Sequence, residues 1–176
     1  MLYRWFCALG ILWGAVGVVA LLLFSVQRLG QVALTFFTDM TQREWWHWLA
    51  LALWLLFMAY SKGYRAFQLA FAPRVAARLH WLYHHPQWFL LLLAPLYAMG
   101  LIYASKKRMM MNYAIVAMIL VFVIFAEYLP VPWRAIVYAG VVVGLFWGTC
   151  ATVWFSLRIV LATPTQVDPE LPRLAQ

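Results

Sequence analysis

Read for hydrophobic and polar positions, the chain divides into five apolar runs separated by short polar breaks. Residues 6–26 and 135–157 contain no charged residue. At 1.5 Å per residue, each can cross a hydrocarbon core of about 30 Å as a helix. A second span runs from about 45 to 61, opening with Trp45, Trp46 and Trp48 and followed by Tyr60 and Tyr64, as amphipathic rings at a membrane boundary would be placed. The third run, 88–104, is interrupted by Pro95 and Gly100. The fourth, 109–129, has Asn112 near one end and Glu127 near the other, and Pro130 and Pro132 make a stiff turn into the fifth.

The pattern predicts an all-α integral membrane protein, a bundle of five transmembrane helices with one interfacial amphipathic helix. That helix follows Pro73, where Val75, Leu79 and Leu82 recur on one face and Arg74 and Arg78 share another. In the membrane plane it would turn apolar residues down and arginines toward phosphates. Residues 1–160 read as one helical membrane domain, and 161–176, with Pro164, Pro169 and Pro172, as a disordered tail.

Two rules disagree about the third run. Five crossings divide the cations almost evenly, six against seven, and the positive-inside rule then gives no orientation. If 88–104 instead dips in and returns, four crossings remain and only Arg28, Arg43 and Arg134 face the side away from the N-terminus. A re-entrant segment needs its backbone hydrogen bonds satisfied by surrounding protein, and four helices offer little cover. Five crossings are therefore the preferred reading, with the Lys106–Arg108 turn cytoplasmic and the N-terminus outside. The four-crossing arrangement is the alternative.

Composition narrows the function classes. The chain is 67% hydrophobic and 10% charged, outside the soluble range. A formal charge of +8 could suggest nucleic acid, but the cations flank apolar spans, where they meet lipid headgroups. No nucleic-acid partner is expected. Ten arginines against three lysines fit a bacterial origin, which suggests a bacterial inner membrane. Cys7 and Cys150 fall inside spans and read as small packing residues.

Small residues form two smooth stripes: Gly10, Gly14 and Gly17 on the first span, and Gly140, Gly144 and Gly148 on the fifth. Such faces let another backbone approach closely, and the simplest expectation is that these two spans pack on each other. A homo-oligomer or membrane-protein partner is the functional version. Lys62, Arg65, Arg74 and Arg78 form the candidate site for an anionic lipid headgroup, since the arginine fork suits phosphate.

Asn112 and Glu127 are the candidates for an ion or substrate path, because ionisable and amide groups within spans are costly. Glu127 also lies close enough to Arg134 to make an interfacial ion pair. His80, His84 and His85 resemble one fragment of the histidine boxes of membrane fatty-acid desaturases and hydroxylases. Those sites need many imidazoles from several boxes, and this chain has four histidines in all. No metal site and no cofactor are expected. Five acids, none paired, do not suit metal-dependent phosphotransfer.

The resulting reading is a small non-enzymatic polytopic membrane protein that packs through its glycine faces and contacts anionic lipid or a membrane partner. A small oligomeric transporter or channel using Asn112 and Glu127 is the alternative. A lipid-modifying enzyme using His80 or His84 is the weaker one.

Overall fold

A computed structural model describes the backbone of residues 2–38 and 44–160 and the side chains of 9–38 and 44–158. The expected tail at 161–176 lies outside the described residues, as do Asp39 and Arg43 and the side chain of Cys7. No strand occurs among the described residues. Three of the helices are long and apolar enough to cross a membrane: Leu9–Thr38, Lys106–Glu127 and Val131–Arg158.

Helix α1 (Leu2–Thr38) does not stop at Arg28. Its buried stripe, Val18, Leu22, Ala33 and Phe36, continues at helical spacing through the polar stretch, while Gln27, Arg28 and Gln31 point outward. Residues 27–38, which follow the first uncharged run, are therefore the last turns of α1.

The chain next forms one uninterrupted helical rod from α2 (Trp45–Met58) through a π-helical segment (Ala59–Phe71) to α3 (Ala72–His84). Its start is fixed by the Glu44 N–H, which donates to His47 Nδ1 at 3.1 Å, and by the Trp46 indole, which donates to the Glu44 carboxylate. The π-helical turns are wider than α turns. The rod thus meets α7 (Val131–Val160) at intervals of four or more residues: Trp54 and Met58 against Gly140, Lys62 against Gly144, Phe67 against Gly148. Trp54 Nε1 donates to Val137 O at 3.3 Å, and Trp147 Nε1 to Gln68 Oε1 at 2.8 Å.

Helix α3 does not lie exposed along a surface as its amphipathic pattern suggests. Val75, Ala76, Ala77, Arg78, Leu79 and Leu82 are all buried, with Val75 and Leu79 against Val18, Leu22 and Ala98. The apolar stripe was legible, but it faces protein.

The 88–104 run is not one straight helix. It contains α4 (Trp88–Leu92) and α5 (Ala94–Ala98), each five residues long. Beyond Ala98 the backbone reverses through Gly100, whose φ of +73° suits a residue without Cβ, and Tyr103 at φ 51°. The Tyr103 ring then comes within 6.3 Å of the Phe89 ring at the start of the run. The segment is a folded hairpin, docked on α1 and α3.

Helix α6 (Lys106–Glu127) begins at Ser105, whose Oγ accepts from the Arg108 N–H at 3.4 Å. It is anchored at both ends and exposed along most of its length. Among the described elements, α1 and α7 share the most extensive packing.

Candidate functional site

Once the chain leaves α5, the carbonyls of the hairpin tip have no helical partners. Three side chains from two helices supply them. Arg78 of α3 donates through Nε to Tyr97 O at 2.7 Å, and through one terminal nitrogen to Ile102 O at 3.0 Å and Tyr103 O at 2.7 Å. Asn112 of α6 donates to Met99 O at 3.2 Å and Gly100 O at 2.8 Å, and the Tyr113 hydroxyl donates to Leu101 O at 2.9 Å. On the other flank, Trp13 of α1 donates to Leu92 O at 3.3 Å, at the break between α4 and α5.

These bonds meet the requirement that made a folded-back segment look unfavourable from the sequence. Arg78 is the centre of the arrangement, 3% exposed, with its guanidinium carbon 4.5 Å from the Tyr97 ring centroid. The planar fork suits this place because it can aim separate N–H groups at carbonyls on both arms of the hairpin. It is thus a structural residue before it is a headgroup contact. Asn112 likewise ties α6 to the hairpin.

Arg78 also lies at the base of a small cleft that it lines with Phe71, Arg74, Met99, Gly100 and Arg108. The free volume, about 10 Å³, is that of roughly one water. A phosphate would therefore sit at the rim, where Arg74 and Arg108 are half-exposed. Among the described residues the cleft is lined by three cations and no acid. Lys62 and Arg65 do not line it; both are exposed on the π-helical segment. Arg108 was missed as a site residue because its sequence neighbours, Lys106 and Lys107, make it read as part of a charged turn.

Glu127 accepts from Arg134 at 3.2 Å and from the Tyr138 hydroxyl at 2.8 Å. These contacts fasten the end of α6 to α7. Asn112 and Glu127, at opposite ends of α6, are not brought together. A larger groove between α2 and α7, about 500 Å³ and lined by Ala50, Leu53, Trp54, Phe57, Ile136 and Val137, offers little polar surface to orient a ligand.

The two glycine stripes do not meet, although α1 and α7 pack along their lengths. Gly10 and Gly17 face Leu91 and Pro95 of the hairpin, Gly14 faces both Leu79 of α3 and Ala94 of the hairpin, and Gly140, Gly144 and Gly148 face the α2 and π-helical parts of the rod. Each stripe admits a different close neighbour. The His80 and His84 ring centroids are 4.6 Å apart with the rings tilted by 57°, and His85 stacks on Trp81. Among the described residues, no three His, Cys, Asp or Glu side chains come together.

Comparison with protein-family models, curated proteins and solved structures finds no match for the chain, so its function has to be argued from its own residues.

Proposed function

We propose that this is a non-enzymatic membrane protein with four crossings and a re-entrant hairpin, which holds an anionic lipid headgroup at the arginine cleft. The crossings are α1, the α2–π–α3 rod, α6 and α7, and the hairpin enters and leaves on the side of the N-terminus. Convergence of Arg74, Arg78 and Arg108 on one cleft is the observation that carries the reading.

Charge placement supports the same topology. With four crossings, Arg28, Arg43 and Arg134 lie on the far side and the other ten of the thirteen cations on the near side. That bias makes the near side cytoplasmic, with both termini there. In a background lacking Cys7 and Cys150, single cysteines replacing Gln87 and Ser105 should label from the same side of the membrane, and one replacing Glu44 from the opposite side. Labelling of positions 87 and 105 from opposite sides would restore five crossings.

The cleft makes its own prediction. Each cation near an anionic surface contributes on the order of 1 kcal/mol, so Arg74→Gln with Arg108→Gln should reduce retained anionic lipid by about tenfold or more. Arg65→Gln, away from the cleft, should change it little. Native mass spectrometry of the purified protein reads both. Equal lipid retention by the double variant and the parent would end the headgroup reading. Arg78 is left intact in this test because its loss would disturb the hairpin itself.

A further inference from the structure

The contacts between the rod and α7 run in the same direction along both. Trp54 and Met58 meet Gly140, Lys62 meets Gly144, and Phe67 meets Gly148. The end of α7 at Val160 therefore lies at the same end of the bundle as α3, which packs on α7 and forms one wall of the arginine cleft. Arg74 is seven residues beyond Phe67, and Val160 is twelve beyond Gly148. At about 1.5 Å per residue, α7 ends roughly 8 Å past the level of Arg74.

The acids of the chain are unevenly placed along this bundle. Glu44 opens the rod, and Glu127 closes α6 against Arg134 and Tyr138, both at the end away from the cleft. Asp39 is five residues before Glu44. Only Asp168 and Glu170 follow α7. Asp168 is eight residues beyond Val160, and eight extended residues span up to about 27 Å. Pro164 and Pro169 favour extension, since the residue before a proline is kept from the helical conformation. Packed helices stand about 8–10 Å apart, so the return to the level of Arg74 and a step across one or two helices fall within this reach.

We infer that the segment following α7 docks on the arginine cleft of its own chain, with the Asp168 and Glu170 carboxylates against the guanidinium groups of Arg74 and Arg108. The inference goes beyond the headgroup reading and does not need it. Carboxylate and phosphate are both anions that a guanidinium fork engages, so the segment is a tethered competitor for lipid at the rim. A guanidinium has five N–H donors, and a carboxylate can join the bond from Arg74 Nε to Ala70 O without replacing it. Lys106 and Lys107, exposed at the start of α6, are point charges without that fork, and water and salt screen them more fully. Two acids flanking Pro169 thus match two half-exposed arginines in sign and number.

The test is a crosslinking rate in delipidated full-length protein lacking Cys7 and Cys150. Met99→Cys places one thiol in the cleft, and Pro169→Cys places the other between the two acids. Disulfide formation with copper phenanthroline is followed by mass spectrometry. Adding Asp168→Asn and Glu170→Gln should slow it by about three- to tenfold, the combined worth of two partly exposed ion pairs. Arg74→Glu should slow it as well, and Asp168→Arg added to Arg74→Glu should restore it. Tyr128→Cys, 83% exposed at the opposite end of the bundle, should give no crosslink with Pro169→Cys.

Equal rates with and without the two acids overturn the inference, as does crosslinking to Tyr128→Cys as fast as to Met99→Cys. A crosslink found only in a species of twice the mass makes the occupant the segment of a second copy, and the inference is wrong. Lipid retention is read separately by native mass spectrometry with dioleoyl phosphatidylglycerol, where Asp168→Asn/Glu170→Gln should retain severalfold more than the parent. If the acids govern crosslinking but Arg74→Gln/Arg108→Gln keeps its lipid, the segment docks and the headgroup reading fails. If the arginine variant loses lipid while crosslinking ignores the acids, the headgroup reading stands and the docking inference is overturned. Circular dichroism and elution volume equal to the parent's show that each variant is folded.

Discussion

Replacing Arg78 with methionine is expected to be the most damaging single change in the molecule. The stem and its apolar contacts survive approximately, but the donors to Tyr97 O, Ile102 O and Tyr103 O vanish. Tyr97 O keeps the Gly100 N–H at 2.9 Å, but Ile102 O and Tyr103 O lose this donor at about 1–3 kcal/mol each, and since such costs are not additive a total loss on the order of 2–4 kcal/mol is expected. Thermal unfolding in detergent measures it. Arg78→Lys should recover only part of the loss, because a single ammonium cannot reach carbonyls on both arms of the hairpin as a fork does. A cysteine replacing Met99 should also become more reactive in the methionine variant, reporting a loosened tip. If Arg78→Met unfolds within about 1 kcal/mol of the parent and the tip stays protected, Arg78 does not hold the hairpin.

The second large effect belongs to the glycine face of α7, and its positions are not equivalent. A Cβ at Gly148 would lie 2.5 Å from two carbons of the Phe67 ring, and one at Gly140 only 2.3 Å from Trp54 Nε1. At Gly144 the nearest atom, Lys62 Cβ, is 3.2 Å away. Gly148→Ala and Gly140→Ala should thus destabilise by about 1–3 kcal/mol through overpacking, and Gly144→Ala by distinctly less. Leucine at 148 should do more, by levering the rod from α7. The ring is the obstacle at Gly148, so Phe67→Leu combined with Gly148→Ala should lose less than the sum of the two single changes. Additive losses in that cycle would show that the glycine is needed for another reason.

On α1, Gly17 should be less forgiving than Gly10. Its added Cβ would meet Pro95 at 2.4 Å from Cγ and 2.9 Å from Cβ, within a ring that cannot rotate away. At Gly10 the closest atom is a terminal methyl of Leu91, which can adopt another rotamer. The same stripe therefore contains one rigid and one adjustable contact. That difference follows from which hairpin residue each glycine meets.

The local pattern of the chain determined much of the architecture. Long uncharged runs gave the helical character of α1 and α7, because an apolar stretch of that length favours internal backbone hydrogen bonds whatever surrounds it. The short distance from Glu127 to Arg134 made their ion pair legible, and stripes of small residues showed where a neighbour presses close. The buried face of α3 was readable from Val75, Leu79 and Leu82. In each case the signal lies within a few residues of the feature.

Tertiary structure decided which partner each face received. A glycine stripe shows that something approaches closely, and only the fold made it the hairpin together with Leu79 of α3 for α1, and the α2 and π-helical parts of the rod for α7. Counting at 3.6 residues per turn fails across Ala59–Phe71, where wider turns move the contacts to longer intervals. Arg74 and Arg78 look alike on a helical wheel, yet one lies at a cleft rim and the other is buried beneath carbonyls 19 to 25 residues farther along the chain. Those carbonyls need donors because the hairpin has left its helix, and the charge of Arg78 needs acceptors because it is out of water. Each requirement is met by the other, and such reciprocity between distant segments exists only in the folded chain.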